Sequence, residues 1–256
     1  MKLILAVIFF SIAALYASVG FGGGSSYTAV LAVSGPSYAL IPIVSLICNI
    51  CVVAGSSVRY ARAKLLKLTD IWPFFILSVP CAWLGGTMHI SETVFVGLLW
   101  IALLLGGFRL LLSGSTQEAG PGTMGVSVLM RSAIGGAIGL YSGLVGIGGG
   151  ILLAPILYRL RWGSSLKIAA LCSVFIFINS CFGLAGHLSK AGQGFVINDV
   201  LSYWPLVAAV IVGGTIGNRL GLKFFTETLL RRVTGVLIVA VAIRLCLKWL
   251  GLMGVG

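Results

Sequence analysis

Apolar residues run in blocks of roughly 16 to 22 along almost the whole chain, and charged residues gather in the gaps between them and near their ends. A block of that length is about what a helix needs to cross a bilayer. The pattern predicts helical segments over 3–34, 38–58, 70–88 and 93–112, then 128–160, 166–187, 200–218 and 229–250. Strands of an outer-membrane barrel would alternate in polarity over about ten residues, and no such alternation is visible. The expected fold class is all-α, a polytopic membrane protein. Two of the segments are interrupted, by "VGFGGGSSYTAV" at residues 19–30 and by "VGIGGGILLAPI" from Val145.

These interruptions belong to a longer duplication. Val19–Gly24 matches Val145–Gly150; Asn49 and Cys51 match Asn179 and Cys181; Trp72-Pro73 matches Trp204-Pro205, and Gly85 falls on Gly217. Glu92-Thr93 and Arg109-Leu110 match Glu227-Thr228 and Arg244-Leu245. The offset grows smoothly, as small loop insertions in the second half would make it. The chain divides into a first repeat over 1–112, a linker over 113–127 and a second repeat over 128–256. Lys2 with its apolar run imitates a signal peptide, but an equivalent segment recurs at 131–146, so residues 1–18 are read as mature structure.

Composition agrees: 59% of residues are hydrophobic, 9% are charged, and the mean hydropathy is +1.14. The net charge of +12 is spread as short clusters flanking helices, which is no nucleic-acid patch. Those cations also test topology. If each glycine-broken segment crosses once, the 17 Lys and Arg divide ten to seven. If each turns back at its glycines, the halves are inverted and the division becomes thirteen to four. The second arrangement has the bias that cytoplasmic loops carry, and it places both termini in the periplasm.

A hairpin that turns back leaves its glycines inside the membrane, where irregular backbone must be buried in protein or line a cavity. Glycine lets an anion approach the backbone, and amides at a helix start have no partner in their own helix. Two such starts, one per inverted half, would converge on a midplane anion site. The expected binding residues are Gly22, Gly23, Gly24, Ser25 and Ser26 with Thr28 on one side, and Gly148, Gly149, Gly150 and Ile151 on the other. The donors would be the amides of Gly22–Ser26 and Gly148–Leu152. A methyl at Gly23 or Gly149 is expected to obstruct the anion. The competing reading is close helix packing by small residues, although each glycine in a helix costs about 1 kcal/mol.

Asn49 and Asn179 sit mid-helix in apolar runs, where an amide must be satisfied; each either bonds the broken backbone or faces the substrate. His89 and His187, at helix ends, are expected to face interfacial water. Arg109 and Arg244 are read as snorkelling to headgroups or attracting anions at a vestibule. The pair Cys48 and Cys51 is read as packing, with redox or metal chemistry as the alternative. Asp70, Glu92, Glu118, Asp199 and Glu227 all fall at helix ends or in loops. A cation or proton carrier would place a carboxylate mid-membrane, so this distribution favours an anion pathway.

The duplicated GxGGG after a first apolar helix, the length and the paired Trp-Pro resemble the TauE/SafE family of sulfite exporters and toluenesulfonate-uptake-type permeases. The resemblance covers nearly the whole chain. It implies transport of sulfite, a sulfonate or an organosulfonate across a bacterial inner membrane, without enzymatic activity. The second glycine copy continues Ile-Leu-Leu where the first continues Ser-Ser-Tyr, so hydroxyl ligands are expected from one half only. The alternatives are a passive anion channel and a membrane subunit without transport of its own. The partners expected are a small anion, the bilayer and, as an option, a second copy of the chain; no nucleic acid, cofactor or metal is called for.

Overall fold

The computed structural model describes residues 2–112, 127–190, 199–220 and 227–253. The linker expected over 113–127 lies, apart from residue 127, outside the described residues. Helices make up most of the described chain, and no strand occurs within it. The first half contains α1 (Lys2–Val19), α2 (Gly24–Ser34), α3 (Leu40–Arg62), α4 (Leu68–Thr87) and α5 (Glu92–Leu112). The second contains α6 (Val128–Val145), α7 (Gly150–Arg159), α8 (Ser165–Lys190), α9 (Trp204–Leu220) and α10 (Glu227–Leu252). Both segments predicted as broken do break at their glycines. By length and composition α3, α4, α6 and most of α8 can each cross a membrane.

The most extensive helix pairings join the halves: α4 lies on α6, α1 on α9, and α5 on α10. Small residues make the closest of these approaches. Gly135, Gly139 and Gly143, one per turn of α6, abut the backbone of Phe74, Ser78 and Ala82 on α4. Gly213 and Gly217 on α9 abut Phe10 and Ala14 on α1 in the same manner. Repeat mates make repeat-mate contacts: Gly85 meets Leu140, and Gly217 meets Ala14. Without a hydrophobic effect between helices in lipid, such backbone-close packing is the main source of association.

These registers fix helix direction. Contacts between α4 and α6 advance together along both chains, so the two helices run parallel; α1 and α9 do the same. Helix α9 also runs parallel to α3, with Gly214 against Val52 and Asn218 against Gly55. Helix α8 runs parallel to α4, with Phe175 against Phe75 and Gly186 against Trp83. Helix α1 thus points the same way as α3, and α6 the same way as α8. The short α2 and α7 between them fold back: Ser26 Oγ lies 2.9 Å from Tyr16 Oη, and the Tyr27 ring stacks on Phe9 at 4.8 Å. Helices α3 and α8 run antiparallel, with Ser57 3.1 Å from Ser173 and Leu46 beside Gly183.

Apolar side chains fill the interior and also cover the periphery, as on a chain whose solvent is hydrocarbon. Phe9, Tyr27, Leu99 and Leu103 are wholly or almost wholly buried, whereas Ile76, Leu105, Val212 and Leu247 are exposed. Three cations tie helix ends together. Arg59 donates to the Asn218 carbonyl (2.9 Å) at one end of the bundle. At the other, Lys190 donates to the Met88 carbonyl and Lys248 pairs with Glu92, both at 2.9 Å.

Candidate substrate site at two glycine-broken hairpins

Gly23 and Gly149 are the N-cap residues of α2 and α7, at φ +78° and +82°. An L-residue with a side chain occupies that left-handed region at a cost of about 1–2 kcal/mol, so glycine is the natural choice at both. The tight turn aims each helix start back into the protein. The Ser26 and Tyr27 amides both bond the Gly23 carbonyl (2.9 and 3.0 Å), and the Leu152 and Leu153 amides bond that of Gly149 (3.1 and 3.0 Å). This shortens the expected donor set by the amides of Ser26 and Leu152. Among the described residues, the amides of Gly22–Ser25 and Ile147–Ile151 carry no hydrogen bond. They are what a helix start offers an anion.

The two glycine clusters meet around one side chain. Asn49, fully buried on α3, donates from Nδ2 to the Ile147 carbonyl of the opposite hairpin at 3.1 Å. Because Nδ2 must face that carbonyl, Oδ1 is turned toward Gly22 and remains without a hydrogen bond. A methyl built on Gly24 would strike Asn49 Nδ2 and lie 2.5 Å from the Ile147 oxygen; one on Gly148 would lie 2.7 Å from Asn49 Nδ2. A methyl on Gly150 would come within 3.7 Å of the Phe21 ring. Gly22–Gly24 and Gly148–Gly150 are thus brought together, and all six are buried.

Thr28 reinforces the junction. Its Oγ1 lies 2.8 Å from the Gly24 carbonyl, 2.7 Å from Ser45 Oγ and 3.3 Å from the Gly146 carbonyl of the second hairpin. With one proton, it donates to one of these oxygens at a time. Ser45 donates to the Gly24 carbonyl at 3.1 Å. Ser45 was not among the residues the sequence pointed to, although it lies four positions before Asn49 and hence on the same helical face. Ser25 and Ser26 are buried on the α2 start, the latter paired with Tyr16.

The second half is arranged differently. Asn179 is fully buried, but its Nδ2 donates to the Phe175 carbonyl of its own helix at 2.9 Å, and its Oδ1 has no partner. Ser180, its neighbour, faces Gly148 instead, and Ser142 faces Gly149; both hydroxyls are buried without a partner. Half-buried Ile151 turns its side chain toward Gly106 on α5. Hydroxyls therefore stand beside both helix starts, and not beside the first alone as the Ser-Ser-Tyr and Ile-Leu-Leu continuations suggest.

Residues outside this junction fall into place as structure. His187 does not face interfacial water; it is buried, with Nε2 2.7 Å from the Gly143 carbonyl. Gly86, Gly183 and Gly186 draw α4 and α8 so close that the ring is enclosed. His89 is exposed. Cys48 and Cys51 are free thiols, and no group of metal-ligating side chains occurs among the described residues. The Arg109 side chain lies outside the described residues.

Comparison with known proteins points to a membrane transporter. A probable membrane transporter protein of Sinorhizobium fredii, y4hK, is 31% identical over 243 residues, which is 94% of this chain and 96% of the relative. No solved structure matches. The family model described as sulfite exporter TauE/SafE matches residues 4–245, both hairpins included. By that near-complete match the chain belongs to the TauE/SafE sulfite exporter family, a family of multi-pass membrane transporters.

Proposed function

We propose that this transporter carries small sulfur-containing anions, sulfite, a sulfonate or an organosulfonate, across the bacterial inner membrane. It does so by alternating access around a midplane site made by the two glycine hairpins. The observation that carries this reading is the junction itself: two left-handed glycine caps open two short helices whose start amides are unbonded, and Asn49 bridges the two hairpins. Each helix start presents roughly half a positive charge, and no Asp or Glu lies in or beside either glycine cluster. The first half supplies Ser25, Ser26, Thr28 and Asn49, and the second supplies Gly148–Ile151 and Asn179.

The mechanism rests on inverted repeats, a reading supported by the antiparallel course of α3 and α8 and by hairpins that fold back in both halves. In such a transporter one repeat rocks against the other about a shared site. The bonds from Asn49 and Thr28 to the second hairpin would hold the halves together and would have to exchange as the site opens.

Flux into proteoliposomes tests the substrate. Sulfite, thiosulfate, sulfate, sulfoacetate and taurine are compared at equal gradients. Saturable flux of a sulfur oxyanion or sulfonate, with thermal stabilisation of the purified protein by the same anion, is the expected result. Flux that rises linearly without saturation would make the protein a channel, and no flux of any of the five compounds would remove the sulfur assignment.

Orientation has its own test. Both termini are expected in the periplasm and residues 59–69 in the cytoplasm, from the thirteen-to-four division of cations. In a cysteine-free background, Lys64→Cys should label only after the membrane is permeabilised and Lys248→Cys without it. Labelling of position 64 from outside would reverse the arrangement.

A further inference from the structure

A lateral groove of about 520 Å³ runs down the outside of the bundle between α4 and α8. Its walls are apolar throughout, with Leu68, Trp72 and Ile76 on one side and Val174 and Ile178 on the other. Two prolines, Pro73 and Pro80, interrupt the hydrogen bonding of α4 along this length, and Pro80 lines the groove. Because α4 and α8 run parallel, both walls begin at the same membrane face. There each carries an exposed lysine. Lys67 caps α4 immediately before Leu68, and Lys167 lies seven residues before Val174, two turns up the same helical stripe. The carboxylate on this rim, Asp70, accepts from Thr69 Oγ1 at 3.4 Å.

The repeat mate of this groove is closed. Val44 and Cys48, the equivalents of Val174 and Ile178, are wholly or almost wholly buried. Residues 34–37, which correspond to the basic 158–167 loop, contain no lysine or arginine. An open apolar slot is thus found where lysines stand at its mouth, and its counterpart lacks both.

We propose that the α4–α8 groove is a binding site for an anionic phospholipid. One acyl chain lies along Leu68–Ile76 and Val174–Ile178, and the headgroup phosphate is held between the ammonium groups of Lys67 and Lys167. An acyl chain matches a long, narrow, wholly apolar slot, and a phosphate matches two cations from opposite walls. The site is separate from the glycine junction and does not depend on which anion is transported.

Native mass spectrometry of the full-length protein, equilibrated with equal amounts of phosphatidylglycerol and phosphatidylcholine, tests the assignment. The expected result is retention of phosphatidylglycerol in preference to phosphatidylcholine. Each cation beside an anionic headgroup contributes several-fold, so Lys67→Gln with Lys167→Gln should reduce that preference by on the order of tenfold. Ile178→Trp, which fills the slot, should release the retained lipid while Lys67 and Lys167 remain. Should that bulky variant fail to fold, the lysine pair, on the exposed rim, still gives the answer. Equal retention of the two lipids by the unaltered protein, or an undiminished preference after loss of both lysines, would overturn the site. So would a dimer that dissociates on Ile178→Trp, because the groove would then be covered by a second copy of the chain.

Discussion

Gly24→Ala is expected to abolish transport. Gly24 is the first residue of α2, and its α-carbon faces both Asn49 and the backbone of the opposite hairpin. An alanine methyl there would lie 2.5 Å from the Ile147 carbonyl oxygen and collide with Asn49 Nδ2. A backbone carbonyl cannot rotate away as a side chain does, so the two hairpins must separate. Overpacking of that kind costs about 1–3 kcal/mol. The Asn49–Ile147 bond is lost with it, at about 0.5–1.5 kcal/mol for a typical hydrogen bond. The protein should still insert, because the glycine contacts that join α4 to α6 and α1 to α9 involve none of the atoms nearest the new methyl. Loss of flux together with loss of anion-dependent thermal stabilisation is the expected outcome, measured beside Gly163→Ala. That control methyl meets only Lys167 side-chain carbons, at 3.4 and 3.5 Å. Wild-type flux from Gly24→Ala would mean that the hairpins need not touch.

Gly24 is a cleaner probe than Gly23 or Gly149, the positions that the glycine pattern first singles out. Both of those are left-handed, so an alanine there gains no helix propensity and is strained whatever else it does. A methyl on Gly23 would also press on Ile12, Tyr27 and Tyr16, at 3.0–3.3 Å. An effect at Gly23 would mix backbone strain, packing and anion access. The structure shifts the test by one residue, to a site with ordinary helical dihedrals and an identified neighbour.

The hairpins were legible because three consecutive glycines leave little other reason to interrupt an apolar helix, and the copy in the second half removed chance. The turn-back is an expectation from charge alone, since cations distribute by membrane side and not by contact. Partners were not. Gly135, Gly139 and Gly143 announce a close-packed face of α6, but period-four small residues do not name the helix they meet. That it is α4, with α1 meeting α9 in the same way, depends on how the halves interlock. His187 misled for the same reason: at a helix end it reads as facing water, until Gly143, Gly183 and Gly186 bring the neighbours in. Asn49 stood out as an amide in an apolar run. Its acceptor, the Ile147 carbonyl, is 98 residues away and is a backbone atom that any sequence would carry.

The two asparagines, alike in the sequence, should separate sharply in experiment. Asn49→Leu removes a donor that joins α3 to the second hairpin, and it leaves the Ile147 carbonyl unpaired in a buried place. An acceptor stranded in this way costs about 1–3 kcal/mol. The leucine must also fit against Gly22, Gly24 and Gly148, whose lack of side chains is shaped to an amide. Asn179→Leu removes a bond to Phe175, four residues earlier on the same helix, where the carbonyl is already placed to accept from a helical amide. That loss is about 1 kcal/mol or less. If both asparagines served the substrate equally, as their repeat positions alone would imply, the two variants would lose flux together. The expected result is instead a large loss of flux and of thermal stability for Asn49→Leu, and a smaller loss of both for Asn179→Leu. Asn49→Asp refines the point, because a carboxylate has the size of the amide but cannot donate to Ile147 while ionised. It would also set a negative charge beside the unbonded amides, where the transported anion is proposed to sit. Failure of Asn49→Asp to transport, with Asn49→Gln partly active, would tie the function to a donor at that position. Equal activity of Asn49→Leu and the unaltered protein would detach the Asn49 bridge from transport.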